Sequence, residues 1–165
     1  VYWGDLDVLL LDLPPGTGDV AISVGQLLPR AELLVVTTPQ PAAAEVSIRA
    51  GMLAQQTHQR VIGVVENMSG FPCPHCGEPI DLFGVGGGSL VAESLTRELG
   101  TTIPVLGRVP FDVRLREGGD AGVPLIVSAP DSPAGEAIEA IAGTLADKPR
   151  GLAGMSLGIT PAGRK

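Results

Sequence analysis

The chain has 165 residues, 44% of them hydrophobic and 18% charged, which suits one globular domain and excludes a disordered polymer. A count of 11 basic against 18 acidic residues leaves a net charge of −7, which removes the electrostatic attraction that general nucleic-acid binding needs. Aromatics make up 3%, too few for a base-stacking platform, and no apolar run nears the ~20 residues that span a bilayer.

The opening Val1-Tyr-Trp-Gly-Asp5 carries neither a secretion signal nor an initiator Met, so a cytoplasmic chain entered midway is the expectation. Asp7 to Asp12 is an apolar run that ends in a carboxylate and stops at Pro14-Pro15. It reads as a strand buried on both faces of a parallel sheet, as do Leu33 to Thr38, Val61 to Glu66 and Ile103 to Val109. Helical spacing appears between these runs. Val20, Val24, Leu27 and Leu28 follow a candidate N-cap at Asp19, and Val46, Ala50, Leu53 and Ala54 follow Pro41. A third helix is predicted over Ser89 to Leu99, stopped by Gly100. The fourth opens at Asp131-Ser132-Pro133 and places Ile138, Ile141, Ala142 and Leu145 on one face. Gly86 to Gly88 read as a flexible turn before a helix, and for His58 a helix-surface position is one open reading among others.

Alternating strands and helices of these lengths predict βαβ units, hence an α/β fold with a parallel sheet over residues 1–147. Periodicity vanishes after Pro149, so 148–165 is expected to be a flexible tail. Ligands of such sheets sit beyond the carboxyl ends of the strands. Attention therefore falls on Asp12 with Pro14 to Asp19, Thr37 to Gln40, Asn67 to Ser69, and Arg108 to Asp112.

Asp12 followed by Pro-Pro-Gly-Thr-Gly-Asp has the form of a Walker-B carboxylate near Mg²⁺, with Gly16 and Gly18 letting backbone N–H groups approach a terminal phosphate. The competing reading is a plain turn-forming Asp. No Gly-x-x-x-x-Gly-Lys-Ser/Thr loop accompanies it, and the two lysines, Lys148 and Lys165, follow no glycine-rich loop. A metal-binding strand without its phosphate loop points to an N-terminally truncated domain.

Both cysteines are spent on Cys73-Pro-His-Cys76-Gly77, in a loop spanning 69–88. Two thiolates on a tight turn suit one metal. A redox dithiol and an ordinary pair of free or locally bridged thiols remain open, although Gly77-Glu78-Pro79 argues against the helix that a redox pair usually opens. One pair is half of a four-ligand site, with His75 directed away. A two-fold homodimer would complete it with two pairs.

Five segments in order carry a resemblance: Asp12-Leu-Pro-Pro-Gly-Thr-Gly-Asp19, Val36-Thr-Thr-Pro-Gln40, Glu66-Asn-Met-Ser69, Cys73-Pro-His-Cys-Gly77 and Leu106-Gly-Arg-Val-Pro110. Together they resemble the Mrp/ApbC-type iron–sulfur cluster carrier ATPases, relatives of the MinD/ParA P-loop ATPases with a three-layer α/β/α fold. The likeness runs from Asp7 to Ala146 and extends through Arg114 to Pro124. It implies that Asp12 holds Mg²⁺ through water and that Pro14 to Gly18, Gly16 included, sense the γ-phosphate. Asn67 would hydrogen-bond the adenine of ATP, and Pro110 with its neighbour Arg108 would flank the base. Cys73 and Cys76 would bind a [4Fe–4S] cluster across a homodimer, received from an assembly scaffold and passed to acceptor apoproteins. Neither nucleic acid nor membrane is an expected partner. A MinD/ParA-like partitioning ATPase and a zinc-stapled interaction module are the alternatives; the first has no need of the cysteine pair.

In that family the P-loop strand is central and lies next to the Asp12 strand, and both the P-loop and the Asp-bearing switch upstream of it are missing here. An apolar edge without its neighbour invites association. The isolated 165-residue chain is therefore expected to be marginal in solution; a cooperative thermal transition of a clean monomer, followed by circular dichroism, would contradict this.

Overall fold

A computed structural model describes residues 2–14, 18–73 and 75–146. The expected tail at 148–165, and Gly16 within the expected phosphate-sensing loop, lie outside the described residues.

Three strands, β1 (Glu32–Thr37), β2 (Arg60–Asn67) and β5 (Val105–Val109), form a parallel sheet in the order β1-β2-β5. The crossovers are the helices α2 (Pro41–Thr57) and α3 (Gly87–Leu99). A two-stranded antiparallel ribbon, β3 (Phe71–Pro72) with β4 (Pro79–Ile80), projects between β2 and α3. Helix α1 (Asp19–Leu27) precedes the sheet, and α4 (Val113–Ala121), α5 (Leu125–Ser128) and α6 (Pro133–Ala146) follow it.

Strand geometry sends consecutive side chains to opposite faces, and β2 shows the result directly. Val64 joins Val35, Ala44, Ala54, Val61, Val91, Leu95 and Ile103 in a core beneath α2 and α3. Val65 joins Val109, Leu125, Ala134 and Ile141 in a second core beneath α5 and α6. The expected parallel sheet between two helical layers is thus present. Close approach of α2 and α3 depends on Gly51, where a Cβ would lie 2.7 Å from a Leu95 methyl.

The strands expected at 33–38, 61–66 and 103–109 form with shifts of one or two residues. Pro41 takes the first turn of α2, and Gly100 ends α3 in the left-handed conformation at φ +67°. Ser132 caps α6, its Oγ accepting from the Gly135 N–H at 3.1 Å.

Four expectations need correction. Residues 7–12 join neither sheet. A strand exists through the hydrogen bonds of its neighbours, and no described strand pairs with this segment. Val8 and Leu10 are consequently exposed, the latter by 83%, together with Tyr2 and Trp3 just before them. Asp19 is the first residue of α1 and not its cap, which is Gly18; the carboxylate still complements the positive end of the helix dipole. His58 is not on a helix face but in the left-handed C-cap of α2, at φ +54°. The three glycines are also not a flexible turn. Gly86 caps α3 at φ +86°, and Gly87 and Gly88 are buried within its first turn.

Helices α4 and α5 and the β3–β4 ribbon were not anticipated. No residue of α4 is buried, so the segment carries no apolar stripe for a periodicity search to find. Its start is fixed locally: the Asp112 carboxylate accepts the Arg114 N–H at 2.9 Å and a two-point ion pair from the Arg114 guanidinium. That guanidinium holds the Asp112 carboxyl below the usual carboxylate range.

Leu95 is fully buried in the first core. Leu95→Ala should cost about 2–5 kcal/mol through lost transfer energy and a residual cavity, read as a lowered urea midpoint.

Candidate functional site

The chain leaves the sheet at the end of β2 through two left-handed residues, Met68 at φ +58° and Gly70 at φ +77°. The Asn67 Oδ1 accepts the Met68 N–H at 2.9 Å, which leaves the Asn67 amide protons without a hydrogen bond among the described residues. Two backbone bonds then tie the outgoing chain to β5 and its extension: Ser69 N–H to the Val109 carbonyl at 2.9 Å, and Phe111 N–H to the Gly70 carbonyl at 2.8 Å. The three phenylalanines of the chain meet here. Phe71 packs edge-on against Phe111 with ring centres 5.7 Å apart, and Phe83 lies 6.2 Å from Phe111 on the other arm. The root of the ribbon is therefore a small aromatic cluster.

The tip carries the cysteines. Cys73 N–H donates to the Glu78 carbonyl at 2.8 Å, and the chain turns back so that Gly77 N–H donates to the Cys73 carbonyl at 2.8 Å. Gly77 sits at φ +77°, where a side chain would be strained. The backbone N–H groups of Cys76 and His75, and less strongly the Cys76 side chain, act on the Cys73 sulfur. These donors favour the thiolate and pull the Cys73 thiol below its ordinary value; slight burial opposes them. Cys73 is half-buried and Cys76 exposed. Among the described residues no cluster of three or more His, Cys, Asp and Glu side chains gathers here or elsewhere.

Beneath the ribbon root lies a buried carboxylate. Glu66, 1% exposed, stands in register between Thr37 of β1 and Arg108 of β5. Its Oε1 accepts the Ser69 hydroxyl at 2.6 Å and faces the Arg108 Nε at 3.4 Å. Its Oε2 accepts the Gly88 N–H at 2.6 Å. The Gly86 cap of α3 offers no side chain, so Glu66 satisfies one of the free donors of that helix end from a distance. Arg108 in turn donates to the Ser89 hydroxyl at 2.8 Å.

The candidate residues thus divide. Asn67 stands in register with Val109, one residue before the half-buried Pro110, so these two share one sheet end. Arg108 is adjacent but engaged by Glu66 and Ser89. Asp12 is exposed and lies in the segment outside the sheet. Two open cavities among the described residues, each about 400 Å³, lie elsewhere: one against α3 around Ala92 and Ile103, one between α4 and α6 around Leu115 and Ile138. Sequence reasoning missed Glu66 and the aromatic root. The signal for Glu66 was available, since a carboxylate closing an otherwise apolar buried run is the same cue that singled out Asp12.

Residues 1–146 match the ParA family in its form described as NUBPL iron-transfer P-loop NTPases. The chain belongs to this family. Within it, the chain is 63% identical over 164 residues to an iron–sulfur cluster carrier protein of Mycobacterium bovis, covering 99% of this chain and 43% of the relative. A nucleotide-binding protein of Archaeoglobus fulgidus, solved in complex with ADP and with cobalt found, superposes with a TM-score of 0.58 at 42% identity, over 73% of this chain and 47% of the other. The septum site-determining protein MinD of Pyrococcus horikoshii, complexed with Mg-ADP, shares the fold at 23% identity and a TM-score of 0.53, over 78% of this chain and 44% of the other. The chain thus spans under half the length of these relatives. No described helix of this family member is long and apolar enough to cross a membrane.

With Cys76 replaced by Ser, the two backbone donors to Cys73 remain. Alkylation of Cys73 by iodoacetamide should then rise with pH through a midpoint below that of the same segment as an unfolded peptide, because the folded turn stabilises the thiolate. Coincident midpoints would show that the turn does not act on the sulfur.

Proposed function

We propose that this chain is the cargo-binding part of an ATP-dependent iron–sulfur cluster carrier. The observation that carries the reading is the ribbon tip: two cysteines on one turn, closed by the Cys73–Glu78 and Gly77–Cys73 backbone bonds and set on an aromatic root. Backbone N–H groups that act on a sulfur, as those of Cys76 and His75 do on Cys73, stabilise a thiolate ligand and tune the cluster it holds. The relationship to a mycobacterial protein named for cluster carriage supports the same conclusion. The cargo is a [4Fe–4S] cluster, taken from an assembly scaffold and delivered to acceptor apoproteins. Two thiolates per chain meet the usual demand for four when two copies approach tip to tip as a homodimer. Thiolate ligation of this kind suits the reducing cytoplasm.

A bound nucleotide with Mg²⁺ would supply the free energy that switches the carrier between holding and releasing. The residues present fit its base end: Asn67 offers amide donors to the adenine, with Pro110 and the exposed part of Arg108 beside it. They do not build a phosphate cradle, because the sequence holds no P-loop lysine. Asp12 and Gly16 are proposed to face Mg²⁺ and the γ-phosphate once the missing strand lies alongside, and hydrolysis belongs to the whole protein. A zinc-stapled interaction module is the second reading, since the same sulfur geometry suits tetrahedral zinc.

Anaerobic reconstitution with iron and sulfide decides between them. Cluster uptake at about one [4Fe–4S] per two chains is expected. Cys73→Ser or Cys76→Ser should abolish it while nucleotide binding by the whole protein persists. Zinc at one per two chains, without sulfide, would establish the module instead. In the whole protein Asp12→Asn should lower ATP turnover about tenfold or more with cluster uptake retained.

A further inference from the structure

The geometry points to Glu66 as a positioning residue for the cysteine ribbon, acting through Ser69. This inference deepens the carrier reading and rests on it only where cargo is measured. A carboxylate in the interior is costly unless several donors meet it, and here three do, each from a different part of the structure. The Gly88 N–H comes from the start of α3, the Arg108 guanidinium from β5, and the Ser69 hydroxyl from the turn that launches the ribbon. Of these partners, Ser69 alone lies on the path to the sulfurs, two residues before Phe71 and four before Cys73.

The turn at Met68 to Gly70 has two left-handed residues, one of them not glycine, so it holds a backbone shape that needs external support. The 2.6 Å bond from the Ser69 hydroxyl to Glu66 is the one side-chain bond from this turn to a fixed, fully buried partner. The remaining ties are the two backbone bonds to Val109 and Phe111. Glu66 therefore joins the start of α3, the end of β5 and the ribbon root in one network, and a displacement of α3 or Arg108 is passed to the turn below Cys73. Asn67, the neighbour of Glu66, starts the same turn, so the proposed base site and the ribbon share this support.

The test compares Glu66→Gln, Ser69→Ala and the double variant in the full chain, with Val61→Ala as control. Val61 is buried near the opposite end of β2, in the core beneath α2 and α3. Two readouts are taken: amide hydrogen exchange of residues 67–80, and the rate at which a ferrous chelator strips reconstituted cluster. Glu66→Gln keeps the shape and removes the charge, and should speed both about tenfold, the usual scale for losing a charge-assisted hydrogen bond. The double variant should be no faster than Ser69→Ala alone, because the effect passes through that hydroxyl. Val61→Ala, at matched loss of thermal stability, should leave both rates unchanged. Additive effects, or an equal acceleration in Val61→Ala, would reduce Glu66 to a general stabiliser and overturn the proposal. A wild-type protein that takes up no cluster would end the carrier reading, and the exchange data would still decide the role of Glu66.

Discussion

The architecture depends on how tightly the first turn of α3 presses onto the carboxyl ends of the strands. A Cβ on Gly87 would lie 2.3 Å from the Thr38 carbonyl oxygen, and one on Gly88 would lie 2.8 Å from the Glu66 side chain. Only hydrogen atoms fit in those gaps. With them in place, the helix delivers a backbone N–H to a buried carboxylate, and the carboxylate in turn gathers Arg108 and Ser69. The crossover after β2 is thereby pinned at both ends, and the ribbon emerges from a rigid floor.

From that floor the chain builds a site with contrasting parts. Its root is apolar, ringed by Phe71, Phe83 and Phe111, and its tip is polar, with Cys76 exposed to solvent. Packing the half-buried rings together fixes where the ribbon stands, while at the tip Cys76 is exposed and Cys73 half-buried. A site that binds a permanent structural metal usually closes its ligands within one chain. Under the proposed carrier function, two sulfurs on such a turn would leave coordination to be completed by another molecule, the property that cargo exchange needs.

Much of this was legible in the sequence, for physical reasons that differ from element to element. β1, β2 and β5 announce themselves because each is a continuous apolar run, as in parallel sheets, although only β2 is largely buried and Val36 of β1 is exposed. Helices α2, α3 and α6 show apolar faces, and Pro41, Gly100 and Ser132 mark their ends as capping rules require. The cysteine turn was readable from spacing, and Gly77 from the need for a positive φ. Helix α4 was hidden because it has no fully buried residue, Leu115 being only half-buried against the second core. The segment 7–12 was misread because a strand's identity lies partly in its neighbour, and periodicity describes only the segment itself. The role of Gly87 and Gly88 was hidden because glycine looks the same in a sequence whether it supplies freedom or makes room. Glu66 and the aromatic root are tertiary facts, since their partners come from α3, β5 and the far arm of the ribbon.

The distribution of chromophores has a practical side. The single Trp and single Tyr of the chain are Trp3 and Tyr2, both exposed in the segment ahead of the sheet, and no other residue emits usefully on excitation near 280 nm. Intrinsic fluorescence of this chain reports on its leading residues and is nearly blind to the state of the parallel sheet. What attaches to those residues will dominate the optical signal, so emission serves as a reporter of docking at that end, while melting of the interior is followed by the far-ultraviolet signature of the peptide groups.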